Sequence, residues 1–374
     1  MGGQRWRVWF GERAATLDEL NGIEEIEVIQ EMDAFWEARL HMVLCLDPRG
    51  TWLHWPGDSS KPFSRVRIEI DIGSGSFAPL IDGPLVSIDA GLDAQPGRST
   101  ATMVVRDDSA FLNRDEGTEP PFEQVSASDI ARDIFGRFKQ IADKQVKDTG
   151  AALPSVTRRG TVLQFLRELG RASDRHAYVL PGPKPGKSIG CFLPDPKGPN
   201  GLPPLVLIGE GRNLANASVV QDPCGGEITV GRVLRAGDLE VTEFETSAAD
   251  LGLIGSLPAL PADLTPRRLL HPADNPVEDP AAAATAQARR NGYVYWLSSH
   301  VVPGCYDTVL VPYQKVRLDA GAAPYSGNYL ITRVVHRITP STYTQELQAK
   351  ADALTKVSKS TTAGAAAGAP EGIL

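Results

Sequence analysis

Cysteine is scarce in this 374-residue chain: Cys45, Cys191, Cys224 and Cys305 are scattered, with no CxxC pair and no histidine at ligand spacing. This argues against a disulfide framework or a zinc site, and no cofactor or metal is expected. Long apolar runs are also missing. Stretches such as MVLCL and VLVP fall far short of the ~20 residues a membrane-spanning helix needs, and MGGQRWRVWFGERAATLDEL lacks the apolar core of a secretory signal. No membrane insertion and cytoplasmic synthesis are the expectations. Basic charge is in deficit too, with 38 Lys and Arg against 46 Asp and Glu and a net charge of -8. Phosphate binding relies on Lys and Arg displacing counterions, so nucleic acid is not an expected partner.

What is present is a long chain of changing period. A mass of 40.2 kDa exceeds one ordinary core and points to two or three domains. From Ile23 to Asn113, segments such as IEVIQEM, SRVRIEIDIG and STATMVVRD alternate between Gly, Pro and Asp turns and read as short strands. The period then lengthens. In SASDIARDIFGRFKQIADKQV, Ile130, Ile134, Phe138 and Ile141 predict a helix with Ser126 or Ser128 as N-cap; in TVLQFLRELGRAS, Thr161 and Gln164 predict a capping box. Short strands return, ITVGRVLRAGDLEVTEF reads as a hairpin, a proline-rich span follows, and an Ala-rich helix near 281–290 leads into a last β block. The expected fold class is α+β, mainly β. The expected divisions are a β-barrel domain over 1–115, a helix-containing α/β domain over 116–255, a linker over 256–290, a second barrel segment over 291–355 and a flexible tail over 356–374.

The last block contains YSGNYLITRVVHRITPSTYTQELQAK. Gly327-Asn328 can supply a tight turn, after which Leu330, Thr332, Val334, His336 and Ile338 share one strand face and Tyr329, Ile331, Arg333, Val335 and Arg337 the other. Tyr343 opens the returning strand. No carboxylate or second histidine lies close in sequence to His336, which reads as a histidine of a strand wall or a subunit contact. Ser173, Asp174 and His176 are too close in the chain to converge as a triad, which is assembled from separated segments. Asp107, Asp108, Asp115 and Glu116 lack calcium-loop spacing and read as a solvated edge.

The order of these pieces resembles the hub proteins of contractile phage tails and injection systems, the family of late-control protein D and the hub portion of VgrG spikes. APLIDGPLVSIDAG, with a turn at Asp82-Gly83, is similar to the family's first barrel, which ends acidic at Asp107 and Asp108. The helix with Phe165, Leu166, Leu169 and Ala172 is similar to its FLxxLAxxxG segment, although SDRHAYV departs from the usual GY strand. Gly327, Tyr329, Ile331, Val334, His336 and Tyr343 are similar to the close of its second barrel. The resemblance implies two tube-like β-barrel domains with an intervening α/β region and no catalytic residues. It implies a homotrimer that adapts a hexameric inner tube to a three-fold spike among other baseplate components, within an injection particle or virion tail. Sequence ends soon after Leu354, so the spike is expected to be a separate trimeric protein, with the tail as one place to hold it. Two other classes stay open at this point: a tail-associated cell-wall hydrolase, and a glycan-binding β module using Trp6, Trp9, Trp52 and Trp55.

Overall fold

The computed structural model describes residues 5–53, 57–95, 97–114, 116–117, 119–150, 152–196, 198, 201–222, 228–234, 241–246, 257–258, 265–270, 280–321 and 323–354. The chain begins with β1 (Arg5–Phe10), β2 (Arg13–Ala14), α1 (Leu17–Asn21), β3 (Ile23–Glu31), β4 (Glu37–Leu46), β5 (Trp52–Leu53), β6 (Arg65–Asp71), β7 (Ala78–Gly91), β8 (Ser99–Arg106) and α2 (Ser109–Leu112). The middle carries β9 (Phe122–Ser126), α3 (Ala127–Gly136), β10 (Ile141–Val146), β11 (Ala152–Val156), α4 (Val162–Ala172), β12 (His176–Leu180) and β13 (Ser188–Leu193). It continues with β14 (Leu205–Val206), β15 (Leu214–Gln221), β16 (Ile228–Leu234), β17 (Val241–Thr246), β18 (Leu257–Pro258), β19 (Arg267–Leu269) and α5 (Pro280–Asn291). The last strands are β20 (Tyr295–Val301), β21 (Lys315–Asp319), β22 (Gly327–Ile338), β23 (Tyr343–Ala351) and β24 (Ala353–Leu354). The C-terminal tail, Asp115, Cys224, Trp55 and most of the proline-rich span lie outside the described residues.

The fold is mainly β with α/β regions, but it does not contain two closed barrels. Among the described residues, fourteen strands form one curled, unclosed half-barrel sheet, whose main path is β15-β20-β23-β22-β3-β4-β8-β7-β6-β1-β2. The cause lies in β22. One edge of this strand pairs with β21 from Gly327 to Leu330, then with β3 from Arg333↔Glu31 to Ile338↔Ile26, while β23 occupies the other edge. Because the same edge serves both halves of the chain, the ladder runs from one block into the other instead of closing on itself.

The handover occurs at Thr332, where the register against β23 shifts between Ile331 and Arg333. An extra residue flips the side-chain phase. Ile331 and Val334 therefore enter one core together with Tyr329, and Ile338 enters the other; the uninterrupted alternation expected from the sequence holds only beyond the bulge.

Two expected turns are also strand interior. Asp82 and Gly83 lie within β7, paired with Arg67 and Val66, and β7 passes from β6 to β8 without reversing. Gly327 and Asn328 open β22, paired with Leu318 and Arg317. The helix expected through Ile141 ends at Gly136, and Ile141–Val146 instead pairs in parallel with β13. Glycine is a weak helix former, and sheet pairing takes over the residues beyond it. Ser126 is the N-cap of α3, accepting from the Asp129 amide, and the Thr161–Gln164 capping box closes the start of α4.

A repetition is nevertheless present. The order β3-β4-β8-β7-β6 recurs as β15-β20-β23-β22-β21, with every neighbouring pair antiparallel. Each half has its own core, one around Ile26, Leu40, Ile68 and Met103, the other around Leu297, Leu318, Tyr329 and Leu347. The α3 and α4 helices form a third core with Phe135, Phe165, Leu166 and Phe192.

Gly83 marks the tightest point of the first half, since a Cβ there would lie 1.9 Å from the carbonyl oxygen of Arg106. Backbone cannot retreat as a flexible side chain can. Gly83→Ala is expected to destabilise the chain by about 3 kcal/mol or more; a urea midpoint unchanged from the parent would refute the close approach.

Candidate functional site

Polar groups are buried where the cores meet. His336 follows the β22 bulge and is fully buried between the two β cores. Gln30 of β3 donates through Nε2 to the Leu80 carbonyl at 2.7 Å, so its Oε1 faces His336 Nε2 at 3.1 Å and accepts from it. His336 Nδ1 is then the acceptor for the Tyr343 hydroxyl at 2.8 Å. Burial drives the imidazole pKa down to about 3, and it is neutral. This chain of hydrogen bonds links β23, β22, β3 and β7.

A second histidine has the opposite character. His176, at the start of β12, sits between Asp33, in the β3–β4 turn, and Asp195, beyond β13, each 3.1 Å from a ring nitrogen. Burial alone would lower its pKa, but the hydrogen bonds to Asp195 and Asp33 overcome this and raise it to about 9. Burial likewise opposes ionisation of Asp195, and the bond to His176 outweighs it, holding the carboxyl below its ordinary range. Asp195 also accepts from the Tyr293 hydroxyl at 2.6 Å, and Lys350 Nζ lies 3.9 Å from the Tyr293 ring centroid. The Asp33 amide donates to Tyr313 at 2.8 Å, and Tyr313 stacks on Tyr178 at 3.8 Å. Six separated segments are pinned here.

A third cluster joins the first half to the helical region. Asp82 accepts from Arg65 at 2.6 Å, Arg67 at 3.0 Å and the Gly186 amide at 2.9 Å. Arg67 also bonds Glu69 and the Gly182 carbonyl, and Asp108 takes Arg65 and Ser188. Asp107 and Asp108 are buried, which corrects their reading as a solvated edge. Burial raises the Asp107 pKa to about 6, although Ser109 and the Trp36 amide favour its charge.

The eight residues singled out in the sequence are all buried within the chain, and they fall in different places. His336 and Tyr343 meet; Asp82 belongs to the arginine cluster, with Gly83 beside it. Phe165 and Leu166 pack in the third core, Phe165 stacked on Phe122, while Gly327 and Tyr329 lie in the second half. Sequence reading missed Asp33, Asp195, Tyr293, Lys350 and the Arg65–Arg67 pair. One signal was available for the last: Arg65, Arg67, Glu69 and Asp71 alternate with Val66, Ile68 and Ile70, and charges on one strand face need partners if that face is buried. Among the described residues, no group of three or more His, Cys, Asp or Glu side chains is placed to hold a metal.

No family model matches the chain, and no curated protein matches it by sequence. Solved structures do match. The 43 kDa tail protein of prophage MuSo2 from Shewanella oneidensis has a TM-score of 0.67 at 12% identity, covering 93% of this chain and 98% of that one. A tail protein from Neisseria meningitidis MC58 has a TM-score of 0.63 at 13% identity, covering 94% and 97%. An Escherichia coli component of the type VI secretion system, described as structurally similar to T4 bacteriophage tail proteins, has a TM-score of 0.53 at 10% identity, covering 88% and 73%. The fold is that of phage tail proteins. Nearly the whole length of the two tail proteins is matched, so the likeness embraces the sheet and the helical region together.

The two histidines generate opposite pH dependences. His176, raised from 6.5 to about 9, gives stabilisation that is full below pH 6.5 and is lost as pH rises through 9. His336, lowered to about 3, gives stability that is full above pH 6.5 and declines as pH falls toward 3. In urea melts from pH 5 to 9.5, the cost of His176→Gln should shrink with rising pH, by up to about 3 kcal/mol in all. That of His336→Gln should shrink with falling pH below 6.5, by about 1.4 kcal/mol per unit at most. Same-signed slopes would contradict the assignment.

Proposed function

We propose that this protein is a non-enzymatic baseplate hub of a phage tail or contractile injection machine, a homotrimer that matches a hexameric inner tube to a three-fold spike. The repeated strand order carries this reading. Inside one chain the two halves are joined where β3 pairs with the outer part of β22. The counterpart of β22 in the first half is β7, and the counterpart of β3 in the second half is β15.

Among the described strands, those counterparts are open. Beyond β6, residues 86–91 of β7 pair only with β8 among the described strands, and β15 pairs only with β20. Both segments are largely exposed. A second copy's β15 laid on β7 would repeat between chains the joint that exists within one. Such a head-to-tail contact is heterologous and forms a ring when its rotation closes. Three chains would then present six similar units to a six-fold tube while keeping a three-fold axis for a spike. The likeness to tail proteins and to a type VI secretion component supports the same reading, as does the way the His336 and Arg65–Arg67 clusters join cores.

Light scattering should report a trimer, if necessary only after tube and spike proteins are added, and a monomer under both conditions would overturn the proposal. Val220→Glu, on an exposed β15 position, should abolish the trimer while leaving the circular dichroism spectrum and the monomer melting temperature unchanged. A Val220→Glu protein that still assembles would remove β15 from the joint.

A further inference from the structure

Next to His176 lies a cavity of about 40 Å³ whose wall is strongly basic. Arg167 and Arg171 of α4, Arg175 just beyond it, Arg289 and Arg290 of α5 and Lys350 of β23 face it, against Asp33, Asp174 and Asp195. The carboxylates are already engaged. Asp33 and Asp195 hold His176, and Asp174 lies 2.9 Å from Arg289 Nε. Positive charge is therefore in excess even before His176 is counted.

Arg167 and Arg175 meet acceptors that do not neutralise them. Arg175 donates to the carbonyls of Ser173, Asp174 and Asp148 at 3.1, 2.9 and 3.0 Å, and its buried Nε has no acceptor among the described residues. Arg167 gives one N–H to the Ala34 carbonyl at 3.0 Å, and its Nε is likewise buried without an acceptor. Burial lowers the pKa of Arg175; Asp174 opposes this, and Arg289 adds to it. One water needs roughly 10–15 Å³ of such space, so the cavity has room for a few waters or one compact ion. Guanidinium forks match the oxygens of phosphate and sulfate in both charge and geometry.

We propose that this cavity is a binding site for a small tetrahedral oxyanion, phosphate or sulfate, held by Arg167, Arg171 and Arg175 with Lys350 supplying a further charge. The site draws on α4 of the third core and β23 of the second half, and Arg167 also reaches the Ala34 carbonyl of the first half. A bound anion would thus act as a neutralising pin through the junction. The site lies within one chain, so it is read on the monomer and is independent of ring formation.

The test is thermal melting at pH 7 in 20 mM phosphate, 20 mM sulfate, or chloride at matched ionic strength. Both oxyanions should raise Tm by about 2 °C or more over chloride, and phosphorus NMR should show broadening of the phosphate line by the protein. Arg171→Gln alters a solvent-exposed side chain and should keep the fold while reducing the shift; Arg171→Gln combined with Arg175→Gln should abolish both shift and broadening. Equal melting in all three salts overturns the proposal, as does a double variant that still responds in full. If the double variant does not fold, an undiminished response of Arg171→Gln together with Lys350→Gln has the same force.

Discussion

The backbone pairing of β22 with β3 is the constraint on which the architecture depends. Six residues of one strand, Arg333 to Ile338, take partners more than three hundred positions earlier in the chain. Without that ladder the molecule would be two separate curled sheets, and each would expose an unpaired edge that invites aggregation. With it, two cores become one continuous surface. The cost is that the side chains at the crossing lie between cores and must satisfy both. His336, Gln30 and Tyr343 do so by bonding to one another, which suits a site where all three are buried.

The junctions around this seam use charge in a way that isolated surface pairs do not. Breaking a buried ion pair strands its partner at several kcal/mol, whereas replacing the whole pair with apolar groups is often neutral. The Arg65–Arg67–Asp82–Asp108 cluster is therefore better understood as fixing which surfaces meet than as a source of net stability. An apolar contact between the first half and the helical region would slide more easily; forked guanidiniums and a carboxylate bonded to the Gly186 amide define one orientation.

Local features were legible in the sequence because their causes are local. The Thr161–Gln164 box, the Ser126 cap, the hairpin of β22 and β23 and the Ala-rich helix each follow from residues within a few positions of one another. The joint was not legible. Nothing in IEVIQE says that it will meet RVVHRI rather than close its own barrel, because backbone pairing is indifferent to side-chain identity over much of its length. The His176 cluster was invisible for a related reason: Asp33, Asp195, Tyr293 and Lys350 come from four other segments with no common spacing. Asp107 and Asp108 misled because two adjacent carboxylates look solvated until a half-buried arginine, Arg65, is known to face one of them.

The bulge at Thr332 has an evolutionary implication. A continuous strand would lock the inside-outside parity of both halves together, so that a one-residue insertion anywhere along it would turn one core inside out. An extra residue at the handover acts as a phase slip. Each half can keep its own alternation, and the two can diverge in length and composition without remaining in step. Alignments that carry a single alternation through this strand would mispair the halves by one position, obscuring the repetition of strand order.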